Sequence, residues 1–229
     1  MLPYLQSVLQ ALFPSTCVCC GEVLLPSERQ VCLGCYTSLA TTGYSAHDDN
    51  HTERLLTGRI PFVHATSLLY FRQGDNTQRV VHAMKFQGNS ELCVIMGVFM
   101  GQELLRSARF DDVDILVPLP LHWRRRLQRG YNQSELLCRG IARVLKRPVC
   151  KGVLVRHRYT HQQSLLSSAE REDNVDGAFS LRRPERLRGS HILLVDDVMT
   201  TGATLASCCQ PLTALDDVKI SIATLSIAG

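Results

Sequence analysis

Two adjacent carboxylates, Asp196 and Asp197, are the side chains of this sequence whose type and spacing point most directly to chemistry. Four apolar residues precede them, which predicts a buried central strand that ends at the acids. Small and hydroxyl-bearing residues follow and lead into a helical pattern, where free backbone N–H groups and the helix dipole favour an anion. Carboxylates can accept hydrogen bonds from ribose hydroxyls. We therefore predict a sugar-phosphate site whose loop is Val198, Met199, Thr200, Thr201, Gly202, Ala203 and Thr204.

The alternative is a strand–loop–helix turn in which the threonines and acids only cap the helix. A simple cap does not require two acids after an apolar run, nor three threonines around Gly202. The phosphate site is therefore the preferred interpretation.

Residues 192–204 also resemble the 5-phosphoribosyl-1-diphosphate (PRPP) signature of type I phosphoribosyltransferases. That signature is an apolar run, two acids, an apolar residue and then Thr-Thr-Gly-x-Thr, and every position is matched. The resemblance implies that Asp196 and Asp197 hold the ribose hydroxyls while the loop wraps the 5-phosphate. It further implies Mg²⁺, which arrives with PRPP.

Four cysteines near the start of the chain form two C-x-x-C pairs, Cys17 with Cys20 and Cys32 with Cys35. Four thiolates close a tetrahedral Zn²⁺ shell and leave no open position for a substrate, so the spacing predicts structural zinc. Free thiols or a redox-active pair are the alternatives. Cys19 lies inside the first pair and is predicted not to be a ligand.

The composition is that of a globular protein of 229 residues, with room for one sizeable α/β domain and a small module. A net charge of +4 is too weak by itself to indicate nucleic-acid binding. Residues 1–13 have the spacing of a short amphipathic helix and not of a signal peptide. The most apolar run, residues 92–100, is too short for a membrane span. We expect a soluble cytoplasmic protein, in which ten cysteines indicate metal ligands and buried thiols and not disulfides.

Strand and helix patterns alternate along the rest of the chain. We predict strands at residues 63–71, 113–117, 148–155, 192–195 and 218–227, the last of them partly exposed. We predict helices after Asp75 and over residues 91–107, 133–146 and 205–215, the last of them broken at Pro211.

A cationic segment, residues 123–133, follows the strand that ends in Pro118 and Pro120, and it is predicted to be a loop. It carries Arg124, Arg125, Arg126 and Arg129. Ligands of open parallel sheets bind beyond the carboxyl ends of the strands, and a departing diphosphate needs cations there. The alternative is a solvated or interaction face.

Three further segments resemble the ComF/GntX family of phosphoribosyltransferase-like proteins, which are associated with DNA uptake or use. They are residues 117–121 (Val-Pro-Leu-Pro-Leu), residues 129–133 (Arg-Gly-Tyr-Asn-Gln) and residues 85–88 (Lys-Phe-Gln-Gly), and the paired C-x-x-C module matches many members. Tyr131 stands where Phe is more usual. The resemblance implies a diphosphate site that includes Arg129, Lys85, Gly130, Asn132 and Gln133.

Residues 156–177 are polar and lack an apolar period, which is typical of a lid over an active site. They resemble a pattern of the same family through Arg156, Thr160, Gln163, Leu166, Arg171 and Asn174, followed by Ala178 and Phe179. The resemblance implies a flexible loop that closes over the diphosphate and excludes water. A disordered connection is the alternative.

Together these features predict an α/β protein with the type I phosphoribosyltransferase fold, a mostly parallel twisted sheet flanked by helices, preceded by a small zinc-ribbon-like module. The expected division is an N-terminal helix and zinc module (1–40), a linker (41–62) and a phosphoribosyltransferase-like domain (63–229). Two functions remain open. The first is an enzyme in which Asp196, Asp197, Arg129 and Arg171 act on PRPP, transferring its phosphoribosyl group to an acceptor that the sequence does not identify. The second is a non-catalytic module that senses PRPP or a nucleotide and engages DNA or a protein of the DNA-uptake machinery.

Overall fold

The computed structural model describes residues 14–157 and 177–228. Its centre is a four-stranded sheet in the order β1-β6-β5-β2, with every neighbouring pair parallel, and β3 pairs with β4 in a separate antiparallel sheet. The strands are β1 (Ala65–Phe71), β2 (Ile115–Pro118), β3 (Leu154–Arg156), β4 (Phe179–Leu181), β5 (His191–Met199) and β6 (Lys219–Ala228). This arrangement is the predicted α/β fold with a parallel sheet.

Helices cover both faces of the sheet. They are α1 (Leu33–Thr37), α2 (His51–Leu56), α3 (Asn76–Phe86), α4 (Ser90–Leu105), α5 (Trp123–Arg129), α6 (Gln133–Leu145) and α7 (Ala203–Thr213). Short 3₁₀ turns occupy Tyr44–Ala46, Ala108–Phe110 and Pro184–Arg186. None of the helices within the described ranges is long and apolar enough to cross a membrane.

The core has two halves because successive residues of a strand point to opposite faces. Leu193 and Val195 of β5 pack with α3, α4 and α6, whereas Ile192 and Leu194 pack with α7 and with strands β3 and β4. All four side chains are fully buried, as predicted for a central parallel strand.

Two strands, β5 and β3, have bounds that differ from the prediction. Strand β5 does not stop at the acids, because Asp196 pairs with Thr224 and Val198 with Ser226 of β6. The predicted strand at residues 148–155 shrinks to β3, and Val149 makes only an isolated bridge to Leu116.

Strand β6 is buried along almost its whole length, so the prediction of a partly exposed last strand was wrong. It lies between β1 and β5 in the sheet. Its serines and threonines face hydrogen-bonding partners inside the core: the Ser67 and Thr224 hydroxyls lie 2.7 Å apart. The alternation of polar residues therefore reflects a buried hydroxyl network and not solvent contact.

Two helix predictions were also corrected. Residues 123–129 of the cationic segment form α5 and not a loop; His122 Nδ1 accepts a hydrogen bond from Arg124 N at its start, and Gly130, in a left-handed conformation, ends it. Helix α7 continues through Pro211 without a break. Pro211 removes one backbone hydrogen bond, but only two helical residues follow it, so the loss is confined to the end of the helix.

The expected linker, residues 41–62, is folded against the sheet. Helix α2 begins after Asn50, whose side chain accepts a hydrogen bond from Glu53 N, and Thr52, Glu53 and Leu56 are buried. The division of the chain at residues 40 and 62 stays a prediction.

Candidate functional site

The two acids lie at the carboxyl edge of the parallel sheet and point to its two sides. Asp197 faces α3, where its Oδ2 lies 3.1 Å from Nζ of Lys85, and its Oδ1 accepts a hydrogen bond from Val198 N at 2.7 Å. Both side chains of this ion pair are largely buried, with 20% of Lys85 and 14% of Asp197 exposed. A lysine of the last turn of α3 is therefore part of the acid site.

Asp196 is the more perturbed of the two acids. Burial, followed by the neighbouring charge of Asp197, raises the pKa of Asp196 to about 7. Lys85 and the hydroxyl of Ser134 act in the opposite direction, and Ser134 Oγ donates to Asp196 Oδ1 at 3.1 Å. The carboxyl of Asp196 therefore holds its proton to a higher pH than an ordinary aspartate does.

The phosphate loop turns sharply from β5 into α7. Gly202 has φ +78°, which an L-residue rarely adopts, and a Cβ there would lie 2.9 Å from Leu56 Cδ2. Arg59 Nη1 donates to the Thr201 carbonyl at 3.1 Å, so residues after α2 support the loop from behind. Ala203 N donates to Thr201 Oγ1 at 3.5 Å, and the N–H groups that follow it in the first turn of α7, with the partly exposed Thr204, are placed to bind an anion.

Arg129 lies at the end of α5 beside the acids. Its Nη1 donates to Gln133 Oε1 at 3.1 Å, and its guanidinium lies 5.6 Å from the centre of the Phe86 ring. Burial lowers the pKa of Arg129, while the charges of Asp197 and Asp196 raise it. An arginine remains protonated in such an environment, so Arg129 adds a positive charge next to the acids.

The neighbours of Arg129 connect α3 to α6. Tyr131 OH and Gln133 Nε2 both donate to the Met84 carbonyl, at 2.7 and 3.1 Å. Asn132 caps α6 by accepting from Ser134 N and donates to the Leu119 carbonyl at 2.9 Å. The side chains of Tyr131, Asn132 and Gln133 are thus bonded to backbone carbonyls, and they hold α3 and α6 in place beside the acids. A phenylalanine at position 131 would not donate this hydrogen bond to the Met84 carbonyl.

Arg156 approaches the site from the other face of the sheet. Its guanidinium lies 5.3 Å from the centre of the Phe179 ring, so strand β4 supports it. Burial and then Arg125 lower the pKa of Arg156, and Asp196 raises it, which means that all three charges share one neighbourhood. The remaining lid candidates Thr160, Gln163, Leu166, Arg171 and Asn174 lie outside the described residues.

The four cysteines of the paired motif form one cluster, with their Sγ atoms all within 4.8 Å of one another. Backbone N–H groups point at the sulfurs: Cys32 N lies 3.3 Å from Cys17 Sγ, and Cys35 N lies 3.4 Å from Cys32 Sγ. Burial opposes ionisation of Cys17, but N–H donors from Cys20, Cys32 and Cys19 lower its pKa to about 6. A set of four convergent sulfurs with N–H donors fits a metal that binds thiolates.

Cys19 is not part of this cluster. Its Sγ points to helix α3, where it lies 3.9 Å from the Asn76 carbonyl, and only 5% of the residue is exposed. Burial raises the pKa of its thiol to about 12.

A second group of possible metal ligands, Asp48, Glu53 and His64, surrounds an arginine. Arg109 Nη2 lies 2.6 Å from Asp48, 2.5 Å from Glu53 and 3.0 Å from His64 Nδ1. The guanidinium supplies the positive charge that a metal ion would bring, so this group is a polar anchor for α2.

Sequence reasoning missed Ser134 and Arg59. Both reach the site through packing: Ser134 from the start of α6 and Arg59 from the turn after α2. Neither carries a local signal, because a serine in a first helical turn and an arginine in a turn-rich stretch are common on any surface.

Comparison with known proteins shows what the segment around the acids is similar to. Residues 132–226, which contain the acids and the phosphate loop, match the family model of the phosphoribosyl transferase domain. That segment is thus similar in sequence to phosphoribosyl transferase domains.

The relatives found by sequence comparison confirm the resemblance to the ComF/GntX family. The DNA utilization protein YhgH of Escherichia coli (strain K12) is 36% identical over 134 residues, covering 57% of this chain and 58% of that protein. Competence protein F of Haemophilus influenzae is 36% identical over 101 residues, covering 44% of each chain. Competence protein ComFC of Bacillus subtilis is 28% identical over 204 residues, covering 80% of this chain and 77% of that one. The chain thus spans less than two thirds of the first two proteins.

The similarity of the chain to solved structures is low. An adenine phosphoribosyltransferase from Leishmania donovani has a TM-score of 0.39 and 14% identity, covering 80% of this chain and 82% of that one. The glutamine PRPP amidotransferase from B. subtilis, complexed with ADP and GMP, has a TM-score of 0.37 and 20% identity, covering 59% of this chain and 26% of that one.

Proposed function

We propose that the phosphoribosyltransferase domain binds PRPP at the carboxyl edge of its sheet and transfers the phosphoribosyl group to an acceptor. The observation that carries this proposal is the convergence of cations on the acid pair. Lys85 pairs with Asp197, and Arg129 and Arg156 lie in the field of the two acids, beside a loop that can hold a phosphate.

Each group has a role in the proposed transfer. Asp196 and Asp197 accept hydrogen bonds from the ribose hydroxyls and hold C1 in place, while residues 200–204 hold the 5-phosphate. The acceptor's nucleophilic atom forms a bond to C1 as the bond from C1 to the diphosphate oxygen breaks, and the diphosphate leaves with the electron pair. Lys85, Arg129 and Arg156 offset the charge of the departing diphosphate.

Two metals belong to this proposal. Mg²⁺ would enter with PRPP, whose phosphate oxygens are its usual ligands, and would neutralise part of the diphosphate charge. Zn²⁺ would be held by Cys17, Cys20, Cys32 and Cys35 and would stabilise the folded module without taking part in the reaction.

Thermal unfolding tests whether PRPP binds. PRPP with Mg²⁺ should raise the melting temperature, and the double variant Asp196→Asn/Asp197→Asn should lose that shift. Asp216→Asn, which removes an exposed acid after α7, should keep it. The absence of any shift in the parent protein would rule out the proposal.

A turnover assay identifies the acceptor. Release of diphosphate from PRPP, measured across nucleobases and other amines, should be dependent on one acceptor class. Binding of PRPP without release for any acceptor would reduce the proposal to recognition of PRPP.

The second candidate is a non-catalytic module that senses PRPP or a nucleotide and engages DNA or a partner of a DNA-uptake system. The relatives named for DNA utilization and competence motivate it, as does the exposed face of α5, where Arg124 follows Trp123 with 58% of the tryptophan exposed. A cytoplasmic location suits both candidates. DNA affinity that falls steeply with salt and is unchanged in Asp196→Asn/Asp197→Asn would favour this second candidate.

A further inference from the structure

Helix α3 connects the cysteine cluster to the acid site. Its first residue, Asn76, and Arg79 contact the cysteine module, whereas Lys85 in its last turn pairs with Asp197. A helix of this length spans about 16 Å. One rigid element therefore carries the groups of both sites.

The module holds the start of α3 through Cys19, the cysteine that is not in the metal-binding cluster. The Cys19 N–H donates to Cys17 Sγ, and its carbonyl accepts from Arg79 Nη1 at 2.6 Å. Because Cys19 lies between Cys17 and Cys20 in the sequence, closing a metal shell on those two ligands also fixes the carbonyl that Arg79 binds.

A second contact holds the turn after α3. Asn89 Nδ2 donates to Gln30 Oε1 at 2.6 Å, and the Gln30 carbonyl accepts from Val18 N at 2.8 Å. Gln30 lies two residues before Cys32, and Val18 directly follows Cys17. The start of α3 and the turn after it are therefore both bonded to residues within two positions of a metal ligand.

The far end of α3 is bonded to the substrate side. The Met84 carbonyl accepts from Tyr131 and Gln133, which flank Asn132 beside the Arg129 turn, and Lys85 Nζ reaches Asp197. Lysine has a flexible four-carbon stem, so the place of its ammonium depends on where the helix ends. A shift of about 1 Å at this end would alter both the Lys85 contact and the support of Arg129.

We propose that Cys19 and Arg79 are positioning residues: the metal-loaded cysteine module fixes helix α3, and through it the place of Lys85, for PRPP binding. This inference rests on the proposed function, because it names the way in which the metal supports that site. It also assigns a role to the fifth cysteine of the module, whose backbone and buried thiol both face α3.

The first test compares variants of the zinc-loaded full chain. Arg79→Met should retain zinc and bind Mg²⁺–PRPP about fivefold more weakly. Arg79→Lys keeps a donor and should recover most of the affinity. Arg29→Met, which removes an exposed contact of the same module to Glu91, should bind like the parent protein. Parent-like affinity in Arg79→Met, or no recovery in Arg79→Lys, would overturn the proposal.

The second test does not need PRPP. Removal of zinc should accelerate hydrogen exchange in the last turn of α3, including the Gln87 N–H that bonds the Ala83 carbonyl, and Arg79→Met should do so with zinc bound. Helix α7 should be unaffected in both cases and serves as the internal control. If zinc removal changes hydrogen exchange only in residues 14–39, the cysteine module does not fix helix α3 and the proposal is overturned. If α3 responds but the parent protein shows no PRPP shift, the coupling holds and the proposed function fails.

Discussion

The acid pair differs from two equivalent carboxylates because each acid has its own partner. Lys85 of α3 pairs with Asp197, and Ser134 of α6 donates to Asp196. Asp197 is thus charge-compensated, whereas Asp196 accepts hydrogen bonds from the Ser134 hydroxyl and the Asp197 N–H and lies next to the charge of Asp197.

Asp196 should make the stability of the chain depend on pH. Its pKa is raised from 3.8 to about 7 by burial and then by Asp197, so the folded state binds the proton more strongly than the unfolded state does. The free energy of unfolding must then fall as the pH rises from about 4 to about 7. Asp196→Asn removes this dependence, so the melting temperature of the variant minus that of the parent should increase between pH 5 and pH 8. A difference that stays constant over this range would contradict the raised pKa.

Arg109 should matter more for stability than any exposed arginine. It pairs with Glu53, and only 14% of the Arg109 side chain and 9% of the Glu53 side chain are exposed. Removing the guanidinium leaves the buried Glu53 carboxylate without this positively charged partner. Arg109→Met should therefore lower the free energy of unfolding, measured in urea, by about 3–5 kcal/mol. The matched control is Arg54→Met, whose partner Asp49 is 77% exposed. That change should cost no more than about 1 kcal/mol.

At the scale of elements, two helices cross so closely that their backbones touch. A Cβ at Gly97 of α4 would lie 2.2 Å from the Leu137 carbonyl oxygen, and one at Gly140 of α6 would lie 2.3 Å from the Val94 carbonyl oxygen. The obstructing atoms are backbone atoms, so the helices themselves would have to separate. These two glycines therefore set the distance between α4 and α6.

Gly140→Ala should destabilise the chain by at least about 1–3 kcal/mol in spite of the better helix propensity of alanine. Gly34→Ala is the control, because a Cβ at Gly34 in α1 meets no atom within 4 Å. Denaturant unfolding of both variants gives the comparison. An unchanged denaturant midpoint for Gly140→Ala would show that α4 and α6 can accept a Cβ between them, which would contradict the close contact.

Helix α5 shows why an element can be missed when its charge suggests a loop. Four of its seven residues are arginines, and Leu127 is 75% exposed, so it has no apolar face of its own. Its ends are defined by His122 and Gly130, and Arg126 lies 3.6 Å from Glu135 of α6. An element held by its caps and by neighbours has no hydrophobic period to detect.

At the scale of the whole molecule, the cysteine module belongs to the main core. Cys17, Val31 and Leu39 are buried in the same cluster as α3 and α4, and Tyr36 packs on Phe99 with ring centres 4.7 Å apart. Among residues 14–40 of the module, the short helix α1 is the only helix and no strand is present. A metal at the four cysteines would therefore stabilise the whole chain through this shared core.

Metal analysis should find about one zinc per chain, and Cys32→Ser should lose it. The same variant should melt at a lower temperature in a single transition, with about 2–4 °C lost for each kcal/mol. Cys19→Ser should retain the zinc, because the Cys19 thiol points to α3. Zinc retained in Cys32→Ser would contradict the four-cysteine site.

Local sequence by itself determined the acids with their phosphate loop, the two cysteine pairs and most of the helices. The signal for each of them lies within one contiguous stretch of sequence. It is a capping residue such as Asp75, a repeat of apolar residues, or a fixed spacing of ligands. Their chemistry depends on neighbours along the chain, so it can be read without knowing the fold.

Tertiary structure alone decided which groups meet at the acids and which strand is central. Lys85 and Ser134 reach Asp197 and Asp196 from different helices, and Arg59 supports Thr201 from the stretch that looked like a linker. Strand β6 is buried because the strand order places it between β1 and β5. These contacts join segments that are distant in sequence, and their geometry follows from strand order and helix packing, which no local pattern of residues specifies.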